Sequence, residues 1–182
     1  MSELYEMRPP QYAEGLRDLI AYMNTFSDTD KMQMIEIGSY AGESTEIFCQ
    51  NFKFVVSIDP YIDGYDKDDL ACQHAPMQEV LEKFQERMIN YENIALIKAS
   101  SDDVLEHGLL VNKKIDFVYI DGLHTYEQVK KDIQNYLPLI KKGGFIGGHD
   151  YHPDWQPVID AVNELLGIPH NITKDTSWIV KL

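Results

Sequence analysis

Phe54-Val55-Val56-Ser57-Ile58-Asp59 decides the fold. The run is β-branched and almost wholly apolar, with no alternation between an inner and an outer face. A strand that lacks this alternation is covered on both sides, as in a parallel sheet flanked by helices. Upstream, Met32 to Ile37 is a second short apolar run, ending at Gly38, and Ser44 to Phe52 between the two has helical spacing. The unit is therefore strand, helix, strand.

The same alternation continues outward. Tyr12, Leu16, Leu19, Ile20, Met23 and Phe26 predict an opening helix, and Met77, Val80, Leu81, Phe84 and Met88 another. Ile94–Ala99 and Lys114–Ile120 read as further strands. Thr125 and Gln128 have capping-box spacing, before a helix whose apolar face is Tyr126, Val129, Ile133, Tyr136, Leu137 and Ile140. Lys141, Lys142, Gly143 and Gly144 are expected to end it, and Phe145 to open a fifth strand. Pro157 starts a last helix, and Asn171–Leu182 reads as two strands around Lys174-Asp175-Thr176. Five strands joined by helices predict right-handed crossovers in a parallel sheet. The expectation is an α/β, Rossmann-like doubly wound, mostly parallel seven-stranded sheet closed by a C-terminal antiparallel hairpin. One domain spans residues 1–182, with an N-terminal helical segment over 1–30 and a cofactor-binding core over 31–182.

Composition limits the partners. The 182 residues carry a net charge of −14, which disfavours nucleic acid and anionic membranes as partners. Two cysteines, Cys49 and Cys72, are too few for a disulfide scaffold and read as free thiols of a reducing compartment. Met1–Pro10 has no apolar core of a signal peptide, so a cytoplasmic location is expected. The Pro60–Pro76 segment, rich in Asp, reads as a loop over the site.

Doubly wound sheets bind ligands at the carboxyl ends of their strands. Polar clusters fall at those ends: Glu36–Gly42, Asp59, Ser100–Asp102, Asp121–His124 and His149–Tyr151. Gly38-x-x-x-Gly42 allows close backbone approach, or simply a tight turn, but it is not the Gly-x-Gly-x-x-Gly of a pyrophosphate cradle. Asp59 lies 21 residues after Gly38, near the spacing at which an acid accepts from ribose hydroxyls; a plain turn Asp before Pro60 is the alternative.

Glu36-Ile37-Gly38-Ser39-Tyr40-Ala41-Gly42, Val56–Asp59, Asp116–His124 and Gly143–Tyr151 together resemble a class I S-adenosylmethionine-dependent methyltransferase. The resemblance is closest to the small O-methyltransferase-like group that includes macrocin and rhamnosyl O-methyltransferases and cephalosporin-hydroxylase-like proteins. It implies that Glu36, Gly38, Ser39 and Gly42 line the methionine and ribose end of the cofactor, and that Asp59 holds the ribose. It implies that Ser101 and Asp102 lie by the adenine and that Asp121 faces the reacting centre. Related metal-assisted enzymes place an acid after the fourth strand and an acidic pair after the fifth; here the set is Asp121, His149 and Asp150, with His149 departing from the pattern. Such a set suits magnesium, manganese or calcium, while His149 tilts it toward a transition metal.

Transfer to an aliphatic hydroxyl needs an acceptor that is positioned and deprotonated. Asp121, His124 and His149 are the catalytic candidates, with His124 or His149 as base. The expected partner is a small-molecule acceptor, such as a sugar. Either that acceptor is small or a second copy of the chain completes the pocket as a homo-oligomer. The competing readings are a nicotinamide-dependent reductase on a related sheet and a cofactor-binding protein without catalysis.

Overall fold

The computed structural model describes residues 8–67, 75–110 and 114–182. Helix α1 spans Pro10–Asn24, strand β1 Gln33–Ile37, α2 Glu43–Asn51 and β2 Phe54–Ile58. They are followed by α3 Met77–Met88, β3 Ile94–Ile97, α4 Ser101–Glu106, β4 Ile115–Ile120 and α5 Tyr126–Tyr136. The chain closes with β5 Ile140–Gly148, α6 Gln156–Leu166, β6 Asn171–Ile172 and β7 Trp178–Lys181.

The seven strands form one sheet in the order β3-β2-β1-β4-β5-β7-β6. The first five run parallel, while β7 is antiparallel to both β5 and β6. This is the expected Rossmann-like α/β architecture. The order reverses between β1 and β4, which makes the crevice above these two strands the switch point.

Both faces are sealed, as the unalternating strands require. On one side Leu16, Phe48, Val80 and Phe84 of α1, α2 and α3 pack with Phe117 and Tyr119. On the other, Val104, Ile133 and Val162 of α4, α5 and α6 pack with Val118, Ile146 and Trp178. Thr125 caps α5 as its spacing predicts, accepting from the Gln128 N–H at 3.3 Å. That helix stops at Tyr136, earlier than its periodicity suggests. Leu137–Leu139 is a 3-10 turn containing Pro138, and Ile140 already pairs with Ile115 in the sheet. Lys141–Gly144 therefore lie at the irregular start of β5 rather than capping a helix.

Cys49 is free and buried; Cys72 falls outside the described residues. Among the described residues, no helix is long and apolar enough to cross a membrane.

Candidate active site

At the switch point, the first residues beyond the strands keep the sheet's bonding going. The Gly38 N–H donates to Ile58 O at 2.8 Å, Asp121 N–H to Ile37 O at 2.7 Å and His149 N–H to Ile120 O at 3.0 Å. Gly38 has φ +83°, and a Cβ there would lie 1.9 Å from the Asp121 carbonyl oxygen. No other residue allows the first loop to sit so close to the fourth. Tyr40, Tyr61 and Asp150, none of them glycine, also take positive φ values of 45°, 49° and 59°. Strain of this kind persists only where the surroundings hold it, and it gathers at functional sites. Here Tyr61 Oη donates to Tyr40 O at 2.9 Å and lies 3.0 Å from Ser39 Oγ.

These loops enclose a cavity of about 340 Å³. Its wall includes Gly38, Ser39, Asp59, Ser101, Asp121, His124, His149 and Asp150, so most of the expected site residues meet there. Asp59 is held by backbone N–H groups: Oδ2 accepts from Ser39 and Tyr40 at 3.0 Å each, and Oδ1 from Tyr61 at 2.9 Å. Burial raises its pKa, against these three donors.

Three expected cofactor residues are not on this wall. Glu36 is fully buried beneath α2, accepting from Ser44 Oγ and Thr45 Oγ1 at 2.5 Å each. Burial pushes its pKa up to about 7 despite those donors. Gly42 caps α2 and faces the ring of Phe84 rather than the cavity. Asp102 turns outward to Lys131 Nζ at 2.7 Å. Near Ser101 the wall holds Gln128 and Asp132 instead. Asp132 is 1% exposed and accepts from Gln128 Nε2 at 3.1 Å, and burial pushes its pKa up to about 6.

The opposite end is a cluster of charges. His124 Nδ1 lies 3.1 Å from Asp66 Oδ2, while its Nε2 lies 2.9 Å from Asp150 Oδ2 but off a hydrogen-bond line. Its ring packs on Trp155 with centroids 4.5 Å apart. His149 Nδ1 is 3.1 Å from Asp150 Oδ1 and 3.7 Å from Asp121 Oδ1. Arg8 Nη2 donates to Asp121 Oδ2 at 2.7 Å. Burial opposes a charge on His124, but the carboxylates of Asp121, Asp150 and Asp66 outweigh it and push its pKa up to about 12. His149 is raised for the same reason by Asp121 and Asp150, again against burial. Burial would raise Asp121 and Asp150; the histidines instead hold both below the usual carboxylate range.

Asp121, His124 and Asp150 offer ligand atoms all within 4.8 Å of one another. His124 thus takes the place that the sequence pattern gave to His149 in the candidate metal group, because β4 and β5 are neighbours and the β4 loop folds back over both strand ends. Within the Asp-rich loop, Asp66 is buried against His124, and Tyr61, Ile62 and Tyr65 join the cavity wall. Residues 68–74 of that loop, with His74, lie outside the described part.

Known proteins share this fold. The chain is similar in structure to CalS11, a TDP-rhamnose 3'-O-methyltransferase of calicheamicin biosynthesis, with a TM-score of 0.67 at 14% identity over 96% of this chain and 81% of that one. SMU.1697c of Streptococcus mutans, solved in complex with SAH, gives a TM-score of 0.63 at 16% identity over 92% and 98% of the two chains. The O-methyltransferase NovP gives 0.61 at 17% identity over 93% and 77%. An uncharacterized protein of Acanthamoeba polyphaga mimivirus is 32% identical over 149 residues, 79% of this chain. The match spans 62% of that relative's length. Residues 35–151, which hold Gly38, Asp59, Asp121, His149 and Asp150, match the family described as Methyltransferase domain, and the chain belongs to that family.

Proposed function

We propose that this chain transfers a methyl group from S-adenosylmethionine to a hydroxyl of a small molecule, with a divalent cation seated among Asp121, His124 and Asp150. The observation that carries this reading is the single cavity joining Asp59, at the end of β2, to the charged cluster at the ends of β4 and β5. A donor lying along it would have its ribose at Asp59 and its reacting end at Asp121.

The residues present fit both groups. A carboxylate has about four acceptor positions, and Asp59 uses three, which leaves capacity for a ribose hydroxyl. At the other end, His124 Nε2 and His149 Nε2 are buried without a hydrogen-bond partner. Two hard carboxylates beside an imidazole accept magnesium or manganese. When bound, the sulfonium supplies an activated methyl and the cation lowers the acceptor's pKa.

The chain's own residues do the rest. Asp121 and Asp150 are held ionised, so they orient an acceptor hydroxyl and favour the positive charge near it. A protonated His124 balances the three carboxylates together with His149 and Arg8, and a cation sharing them would displace its proton. The His124 Nε2 would then be the atom that holds the cation, with Trp155 and Asp66 fixing the ring for that role. His149, whose Nε2 has no hydrogen-bond partner, is the group that takes the acceptor's proton.

The test is a thermal melt of the full chain with S-adenosylhomocysteine and, separately, with NADH. Stabilisation of about 2.7 kcal/mol is expected at a hundred times the dissociation constant of the nucleoside. A melt that responds to NADH and ignores S-adenosylhomocysteine would sink the reading.

A further inference from the structure

Among the described residues, Arg8 is the one Lys or Arg on the cavity wall. Its side chain is only 8% exposed, with Nη2 2.7 Å from Asp121 Oδ2 and Nη1 3.4 Å from Asp175 Oδ2. Its backbone N–H donates to Glu43 Oε2 at 2.8 Å. Helix α1, which begins two residues later, presses so closely on the same anchor that a Cβ on Gly15 would lie 2.4 Å from Asp175 Oδ1. Asp175 is itself fixed, accepting from Thr173 Oγ1 at 2.6 Å and from Ser177 Oγ at 2.9 Å. Arg8 and Asp175 both lie outside the matched residues 35–151. The two ends of the chain thus meet to hold a guanidinium against one oxygen of Asp121. The other oxygen, Oδ1, faces His149 and His124 at 3.7 Å and 4.0 Å.

A guanidinium does not lose its charge at any ordinary pH. Beside Asp121 it has two opposing effects. It compensates a buried acid, which supports the fold. It also repels any second cation drawn to that acid and occupies an oxygen that the cation would use. Even at the dielectric of bulk water, a charge about 4–6 Å from a divalent ion weakens its binding by roughly ten- to fortyfold, and burial strengthens the effect.

We propose that Arg8 is a built-in competitor for the divalent cation: by holding Asp121 Oδ2 it lowers the centre's affinity for the ion, and the N-terminal segment thereby sets how fully the centre is loaded. The proposal rests on the cation reading given above. It makes Arg8 a positioning residue for Asp121, and it predicts a sign opposite to that of a merely structural arginine. Loss of a structural anchor would loosen the site and weaken the ion. Loss of a competitor should tighten it.

The measurement is Mn2+ binding to the full chain by electron paramagnetic resonance, for the unaltered protein, Arg8→Gln and Arg8→Lys. Arg8→Gln should bind Mn2+ about tenfold more tightly or better. Arg8→Lys, which keeps the charge, should stay near the unaltered protein. Removing one buried cation can unfold the chain, so Arg8→Gln with Asp175→Asn removes a cation and an anion together; the same tightening is expected. Mn2+-dependent recovery of folding in an unfolded variant counts as that tightening. Folded variants that bind Mn2+ equally or more weakly, while the unaltered protein binds it, overturn the proposal and leave the cation reading standing. Absence of Mn2+ binding in every protein overturns both, whereas continued unfolding of both variants at high Mn2+, with binding by the unaltered protein, overturns the proposal alone. Binding by the glutamine variant alone supports the proposal.

Discussion

The two ends of the cavity bury acids in opposite ways. At the β4–β5 end, Asp121 and Asp150 face His124, His149 and Arg8, and their pKa values fall. At the far end, Asp59 faces backbone N–H groups and Asp132 faces Gln128 and Ser101, and their pKa values rise. Burial penalises the charge at both ends. The partners decide the outcome: a full opposite charge overcomes desolvation, whereas neutral donors offset only part of it. One end thus pairs its acids with full positive charge, and the other pairs them with neutral donors.

That contrast can be broken by substitution. Asp59→Ala should cost the largest factor, weakening S-adenosylhomocysteine by roughly a hundredfold or more, because charge-assisted bonds to ribose are lost. It should leave Mn2+ binding within a few fold, as isothermal titration would report. Asp150→Asn should do the reverse, weakening Mn2+ by about a hundredfold while the nucleoside still binds nearly as before. If either variant lowers both affinities alike, the two ends are not separate devices.

Glu36→Gln sharpens the same comparison through the pH dependence of stability rather than through binding. Glu36 is fully buried and has neutral hydroxyl partners, so its pKa lies near 7, against an ordinary value of 4.5. The folded chain therefore holds this proton more tightly than the unfolded chain. Its contribution to stability is greatest below pH 4.5 and falls as the pH climbs through about 7. The loss amounts to roughly 3 kcal/mol over that window. Denaturant melts at pH 5 and pH 8 should show the glutamine variant spared this loss, and hence the more stable protein at pH 8. An identical pH slope in both proteins would refute the assignment.

The architecture was legible because buried parallel strands announce themselves. Phe54–Ile58 and its counterparts lack alternation, and acids or glycines mark the ends of β1, β2, β4 and β5. The same property hid the destination of Glu36. A strand covered on both faces gives no sign of which face a lone acid takes, and Glu36 points beneath α2. Arg8 and Asp66 escaped notice for another reason. They meet Asp121 and His124 across 113 and 58 residues, and a charged residue in a polar stretch reads as solvated. Asp132 did carry a signal. It falls among Val129, Ile133 and Tyr136 on the buried stripe of α5, where an acid must have a specific partner or purpose. The early end of α5 was also written in the sequence, since Pro138 cannot continue a helix built on backbone N–H donors.

The chain has two tryptophans, and each touches a different histidine of the charged cluster. Trp155 packs on the His124 ring, while Trp178 is fully buried and donates its indole N–H to the His149 carbonyl at 3.1 Å. Indole emission is quenched by a charged imidazole in contact with it. Trp155 is thus an optical gauge of the proton on His124, brightening when that proton leaves, and Trp178, bound only to a backbone oxygen, serves as its steady reference. Loading of the proposed cation centre should therefore be readable by light, with no label and no knowledge of the acceptor.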